Sequence, residues 1–305
     1  MNSGNENSNR VCSVAWISQR LPETTFISVS SSQLEEYVCL RKIEGLTNQW
    51  INTIKMHIVN YLNSNKWKVN KKNTLDYLIE LSKRYSTATY IKKVYQIRKF
   101  LSYLNIDWVK DIHPPHKPIY QPRRINIYNI QETLRFFKDN IYYTQIKAII
   151  SIGISSGLRA EELYQLNIND IDIDNRIIHI NHNPKNNQTT KTKTSRISFF
   201  NENAKQVLIE YLDEFNNHIR LKCLFNQSHI SRLFRNSPTK VKDLRKFFSQ
   251  EWDRQGGATS IKKILLGHSL KGDVDLMHYN YQSEEDLKKI YDKVMGNLKL
   301  LDKVE

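Results

Sequence analysis

The sequence predicts an α+β protein, mostly α, in which a small helical domain precedes a mixed α/β domain with a small antiparallel sheet. Three observations predict it. Apolar residues recur at helical spacing between Ser32 and Leu104. The stretch Ile112-His113-Pro114-Pro115-His116-Lys117-Pro118 then interrupts every period. Beyond it, Ile171 to Ile180 alternates apolar and polar residues around an Asp-Asn turn, the pattern of paired strands.

The first element, Met1 to about Ser31, mixes Asn, Ser and Thr without a sustained period and is expected to be a flexible tail or a segment ordered by a partner. Ser32 with Glu35 and Glu36 reads as a capped helix start. Trp50, Ile54, Ile58, Tyr61 and Leu62 fall on one helical face, and Thr74 to Leu81 carries a shorter second helix. A third runs from Tyr90 to Leu104, with Ile91, Val94, Ile97, Leu101 and Leu104 as its apolar stripe. Its opposite face carries Lys92, Lys93, Arg98 and Lys99, either a solvated face or a contact to a nucleic-acid backbone. Three prolines close together make an extended, semi-rigid connection. The expected domains are therefore a tail at 1–31, a helical domain at 32–112, a proline-rich linker at 113–125, a second domain at 126–282, and a C-terminal helix and tail at 283–305.

In the second domain Ile130 to Phe137 and Ile141 to Ser155 read as helices, the latter ended by Gly157 as a C-cap. Arg159 to Leu166 starts another. After the alternating stretch come a polar loop from Asn181 to Thr190 and a short strand from Arg196 to Phe200. From Asn201 the chain is helical apart from a break at Gln255-Gly256-Gly257. The last helix, from about Ser283, has the stripe Leu287, Ile290, Tyr291, Val294 and Leu298, which either packs on its own domain or docks on a neighbouring subunit.

Lys and Arg number 46 against 31 Asp and Glu, a net charge of +15. That balance suits a polyanionic partner, and Lys117, Arg123 and Arg124 extend it along the linker. Cys12, Cys39 and Cys223 are too few and too scattered for a disulfide framework or a zinc site and point to a reducing compartment. The polar N-terminus carries no signal-peptide pattern, and no apolar run reaches the roughly 18 residues of a membrane span, so a cytoplasmic, nucleoid-associated protein is expected.

Arg159, Arg245, His268 and Tyr279 stand in that order along the second domain. Cationic and donor groups followed by a phenol can grip a phosphodiester, stabilise its transition-state charge and attack it, with no metal or cofactor required. The motifs around them resemble the tyrosine recombinase family of phage-type integrases. Gly157-Leu158-Arg159-Ala160-Glu161-Glu162-Leu163 matches the family's first-arginine segment, Lys242-Asp243-Leu244-Arg245 its second box, and Leu265-Leu266-Gly267-His268-Ser269 its Leu-Gly-His segment. Lys242 replaces the family's usual histidine, a departure that resembles the integrases of archaeal viruses and plasmids. With an ordinary pKa of about 10.4 against about 6.5 for histidine, a protonated lysine can donate to a phosphate oxygen but cannot accept the tyrosine proton.

The resemblance implies a helical core-binding domain and a catalytic domain that enclose duplex DNA as a C-shaped clamp. It implies that Arg159, Lys242, Arg245 and His268 hold the scissile phosphate while Tyr279 attacks it, giving a 3′-phosphotyrosyl intermediate and a free 5′-hydroxyl, with two rounds of exchange passing through a Holliday junction. Tyr281 is the competing nucleophile. The leaving-group lysine is Lys191, with Lys193 a rival, on the Thr190 to Arg196 stretch. Lys193, Arg196 and the charges of the third helix are expected to touch DNA. The implied assembly is a homotetramer on two DNA sites, joined through the C-terminal helix. Two other readings use the same residues: a type IB topoisomerase-like DNA relaxase, and a non-catalytic DNA-binding accessory protein.

Overall fold

The computed structural model describes residues 25–215, 223–268 and 282–298. The chain divides into two compact units, Met1–Gln121 and Pro122–Glu305.

Four helices build the first unit: α1 (Ser31–Ile43), α2 (Asn48–Ser64), α3 (Lys71–Arg84) and α4 (Thr87–Tyr103). The first three start at side-chain caps, Ser30, Thr47 and Asn70, each accepting from an N–H in the first turn. For α1 the cap is Ser30 rather than Ser32, because Gln33 returns the contact by accepting from the Ser30 N–H at 2.9 Å. The buried stripe of α2 is Ile51, Ile54, Ile58, Tyr61 and Leu62, while Trp50 lies 36% exposed. Ile51 keeps the three-then-four spacing that Trp50 breaks. On α4, Ile91, Val94, Ile97 and Leu101 are buried as their spacing predicts.

Two expectations for this unit are corrected. Residues 25–31 do not behave as a tail: β1 (Ile27–Ser28) pairs antiparallel with β2 (Lys68–Val69), and buried Val29 donates its N–H to the Trp67 carbonyl at 2.9 Å. A two-residue strand has no period of its own, so only its distant partner defines it. The remainder of the expected tail, 1–24, lies outside the described residues. Lys93 also departs from the charged face of α4. It is buried, with Nζ 3.1 Å from His57 Nδ1 and 4.4 Å from the Tyr85 ring centroid. One turn before Ile97, it shares that residue's inward side. Lys92 stays exposed, Lys99 is exposed 3.5 Å from Glu44, and Arg98 is half-buried.

The second unit contains α5 (Ile127–Phe136), α6 (Tyr143–Ser156), α7 (Ala160–Tyr164), β3 (Ile171–Asp172), β4 (Ile177–Ile180), β5 (Arg196–Phe199), α8 (Glu202–Phe215), α9 (Gln227–Leu233), α10 (Val241–Arg254), α11 (Thr259–Leu266) and α12 (Glu284–Met295). Helix α6 is the spine: every residue from Ala148 to Ser156 is buried, against α8 and α10. Its deep hydroxyls are satisfied within the helix, Ser155 donating to Ser151 O and Ser156 to Ile152 O, both at 2.6 Å. The sheet runs β3-β4-β5, all antiparallel, with Ile177 opposite Phe199 and Ile180 opposite Arg196. Ser198 fastens β5 to the end of α6 by donating to Ser156 O at 2.7 Å. Among the described residues no helix is long and apolar enough to cross a membrane.

The apolar stripe of α12 is covered within its own unit, the first of the two arrangements its sequence allows. Leu287, Tyr291 and Met295 are buried with Phe199, Phe248 and Trp252, and Ile290, Val294 and Leu298 pack against the same cluster. The Tyr291 hydroxyl donates to Ser155 O at 2.8 Å, and Arg176 pairs with Asp292 at 2.9 Å. An apolar face already out of water has no further surface to bury on association.

Candidate active site

The site forms where α6, α7, β5, α10 and α11 end or begin together. Gly157 closes α6 in the left-handed conformation, φ +66°. A side chain there would also meet Phe248 Cδ1 at 2.5 Å, so both backbone and packing require glycine. The turn leads to Arg159, the N-cap of α7, whose N–H donates to Glu162 Oε2 at 2.8 Å. Arg245 lies on α10 beside the buried row Val241, Leu244, Phe248 and Trp252. That row holds the helix down while the guanidinium reaches over its edge.

Helix α11 supplies the meeting point. It ends at Gly267, φ +60°, with the Gly267 N–H donating to Ile264 O and the His268 N–H to Lys263 O. The last three carbonyls have no partner within the helix, as at any helix end. Each is taken by a different arginine. Arg196 Nε donates to Leu265 O at 3.0 Å, Arg245 Nη2 to Leu266 O at 2.7 Å, and Arg159 Nη2 to Gly267 O at 3.0 Å. Arg245 Nη1 also donates to Gly157 O at 3.0 Å. Cations suit the negative end of a helix dipole. His268 follows at once, so its ring stands beside these groups.

Between them lies Glu162, 5% exposed, which accepts from Arg159 at 2.8 Å and from both Nη atoms of Arg196 at 2.9 and 2.7 Å. Burial alone would raise its pKa, but the hydrogen bonds and charge of Arg196, with those of Arg159, outweigh it and hold the carboxyl at about 2. Desolvation, then Arg159, press the Arg245 guanidinium down to about 9, still charged at neutral pH. Desolvation and the surrounding cations, Arg245 and Arg159 first, hold the His268 imidazole below its ordinary value. Each guanidinium has five N–H groups. Arg159 and Arg245 commit two apiece among the described residues, leaving three each for an incoming oxyanion.

The other expected residues are placed as follows. Lys242 is exposed on the first turn of α10. Lys191 and Lys193 are exposed on the connection between β4 and β5, in a turn closed by Lys193 N–H to Thr190 O at 3.1 Å and Thr190 Oγ1 to Thr194 O at 2.9 Å. No hydrogen bond joins either lysine to the arginine cluster among the described residues. Lys117, Arg123 and Arg124 are exposed, and Gln250 pins the backbone beside them by donating to Arg123 O at 3.0 Å. Tyr279 and Tyr281 lie outside the described residues. Arg196 is corrected: it turns inward to Glu162 and Leu265 O and is not an outward-facing DNA contact. Glu162, within the quoted motif, had no assigned role. Its position three residues after a helix N-cap was the available signal.

Residues 123–271 match the phage integrase family. This segment belongs to the phage integrase family. Two curated relatives lie within the same class. One is the tyrosine recombinase XerA of Saccharolobus solfataricus, 28% identical over 43% of this chain and 40% of the relative. The other is XerC of Herpetosiphon aurantiacus, 25% identical over 46% of this chain and 52% of the relative. The matches thus span about half or less of those proteins. Among solved structures, the fold is similar to a λ integrase (75–356) dimer bound to a core site, with TM-score 0.63 and 12% identity, covering 83% of this chain and 98% of that one. It is likewise similar to the Tn1549 transposon integrase in complex with a circular intermediate DNA, with TM-score 0.62 and 13% identity, covering 85% and 96%. Phage integrase segment and integrase fold agree on the mostly helical architecture with its small sheet.

A pH dependence follows from His268. Its pKa starts low among cations, and a bound anion would raise it, so binding takes up a proton. Sulfate, which does not titrate in this range, should bind more tightly as pH falls toward and below the ordinary imidazole value of about 6.5. Calorimetry on wild type and His268→Gln tests this, and an equal slope in both proteins would assign the proton elsewhere.

Proposed function

We propose that the chain is a site-specific DNA recombinase that cleaves and rejoins duplex DNA through a 3′-phosphotyrosyl intermediate, using neither metal nor ATP. The observation that carries this reading is the pair Arg159 and Arg245, each with N–H groups uncommitted among the described residues, held beside His268 on consecutive carbonyls of one helix end. Such a fixed cluster stabilises charge as it develops on a phosphoryl group, without reorganising at the moment of reaction. The family of the segment and the names of its relatives support the same chemistry.

In the proposed step the Tyr279 phenol, favoured as its oxyanion by the surrounding positive charge, releases its proton to solvent, and its oxygen forms a bond to the scissile phosphorus as the bond to the 5′ oxygen breaks. Arg159, Arg245, His268 and Lys242 neutralise the nonbridging oxygens. Lys191, or Lys193 beside it, gives its proton to the leaving 5′ oxygen. A 5′-hydroxyl of the partner strand reverses the step, so the phosphoester is conserved throughout. Lys92, Arg98, Lys99, Lys117, Arg123 and Arg124 supply salt-dependent contacts to the duplex backbone. The working assembly is a homotetramer on two sites, and because α12 is covered by its own unit, its subunit contacts draw on other surfaces or on a rearranged α12.

The test is a duplex with a nick just downstream of the scissile phosphate in a candidate site, so that cleavage releases a short fragment and traps the intermediate. Wild-type protein should migrate with the DNA on a denaturing gel and lose that shift after protease. Salt-sensitive binding with no covalent species on any candidate site would favour an accessory DNA-binding protein instead.

A further inference from the structure

We propose that Arg196 is a positioning residue whose guanidinium neutralises Glu162 so that Arg159 remains available to an anion. The inference rests on the reading above only in taking Arg159 as a phosphate ligand. Glu162 is buried and meets two guanidiniums through both oxygens: Oε1 accepts from Arg159 Nη1 and Arg196 Nη1, and Oε2 from the Arg159 backbone N–H and Arg196 Nη2. Two cations around one carboxylate leave one positive charge at the trio. Take Arg196 away and Arg159 with Glu162 becomes a neutral pair, its carboxylate repelling the anion that Arg159 is meant to hold.

The geometry separates Arg196 from the arginines that face the site. Its side chain is 10% exposed, against 21% for Arg159. Three of its N–H groups are committed, to both oxygens of Glu162 and to Leu265 O. Its stem runs beneath Gly267, where a side chain would stand 2.7 Å from Arg196 Cδ. Strand β5 anchors it from behind, paired with β4 at Ile180. The outward guanidiniums belong to Arg159 and Arg245. Arg196 acts on the anion only through the carboxylate it occupies.

A double-mutant cycle read by sulfate calorimetry tests this. Arg196→Met should weaken sulfate binding by about tenfold or more, the scale of one charge-assisted contact. Adding Glu162→Gln to that variant should restore affinity to within about threefold of Glu162→Gln alone, because the repelling carboxylate is then gone. Both variants lose the donor to Leu265 O, so the recovery isolates the carboxylate. A double variant as weak as Arg196→Met, or an Arg196→Met protein that binds sulfate normally, overturns the proposal. If Arg196→Met does not fold, Arg196→Gln with and without Glu162→Gln gives the same comparison. The sulfate cycle and the covalent trap are independent. A protein that follows the cycle but never forms the DNA adduct refutes the recombinase reading alone, and the converse result refutes this one.

Discussion

Tyr279→Phe protein is expected to form no covalent adduct with the nicked duplex, a loss of at least about 10³-fold, while Tyr281→Phe protein still forms it. Phenylalanine keeps the ring and removes the oxygen that would be esterified. The order of the motifs selects Tyr279, and the fold removes competitors among the 16 tyrosines. Three deeply buried phenols are already engaged: Tyr61 meets Thr74 Oγ1 at 2.6 Å, while Tyr211 donates to Leu224 O and Tyr291 to Ser155 O at 2.8 Å each. Burial pushes Tyr211 up to about 12 and Tyr291 well above its ordinary value, so neither gives up a proton near neutrality. A phenol entering the Arg159–Arg245–His268 cluster meets the opposite field, which favours its oxyanion. An adduct that persists in Tyr279→Phe and disappears in Tyr281→Phe would reassign the nucleophile, and one that survives both would remove tyrosine from this part of the chain.

The second large effect is on stability. Gly157→Ala should cost roughly 2–4 kcal/mol in urea unfolding, about 1 from the left-handed backbone and the rest from collisions with Phe248 and Leu266. Gly256→Ala separates the two contributions. It has a comparable φ of +73° but nothing within 4 Å of the added carbon, so it should lose only the conformational part, about 1 kcal/mol. Equal losses in the two variants would show that the α6 end repacks freely around a methyl group. The loss at Gly157 should also reach the site, because its carbonyl receives Arg245.

Much of the molecule could be read from local pattern. The α4 stripe, the Gly157 cap, the strands on either side of Asn175 and the break at Gly256 follow from spacing and turn chemistry that each segment carries alone. What escaped was set by distant partners. Ile27–Ser28 is a strand because of Lys68–Val69, and Lys93 is inside because α2 and the Tyr85 ring meet it there. Arg196 belongs to a basic stretch that reads as solvent-facing, and only the third dimension sets it against Glu162. The same holds for the site. Motif order named Arg159, Arg245 and His268, but no linear feature announces that three arginines share the end of α11.

That shared end makes the cluster a junction. Leu265, Leu266 and Gly267 are successive, and their carbonyls tie α7, β5 and α10 to one short stretch of chain. Displacing the stretch by the length of one such bond would take one contact from each of the three guanidiniums together, leaving them on Glu162 and Gly157 O alone. The three charges therefore feel a shift of that stretch together, and whatever pulls on the chain beyond His268 acts on the whole set at once.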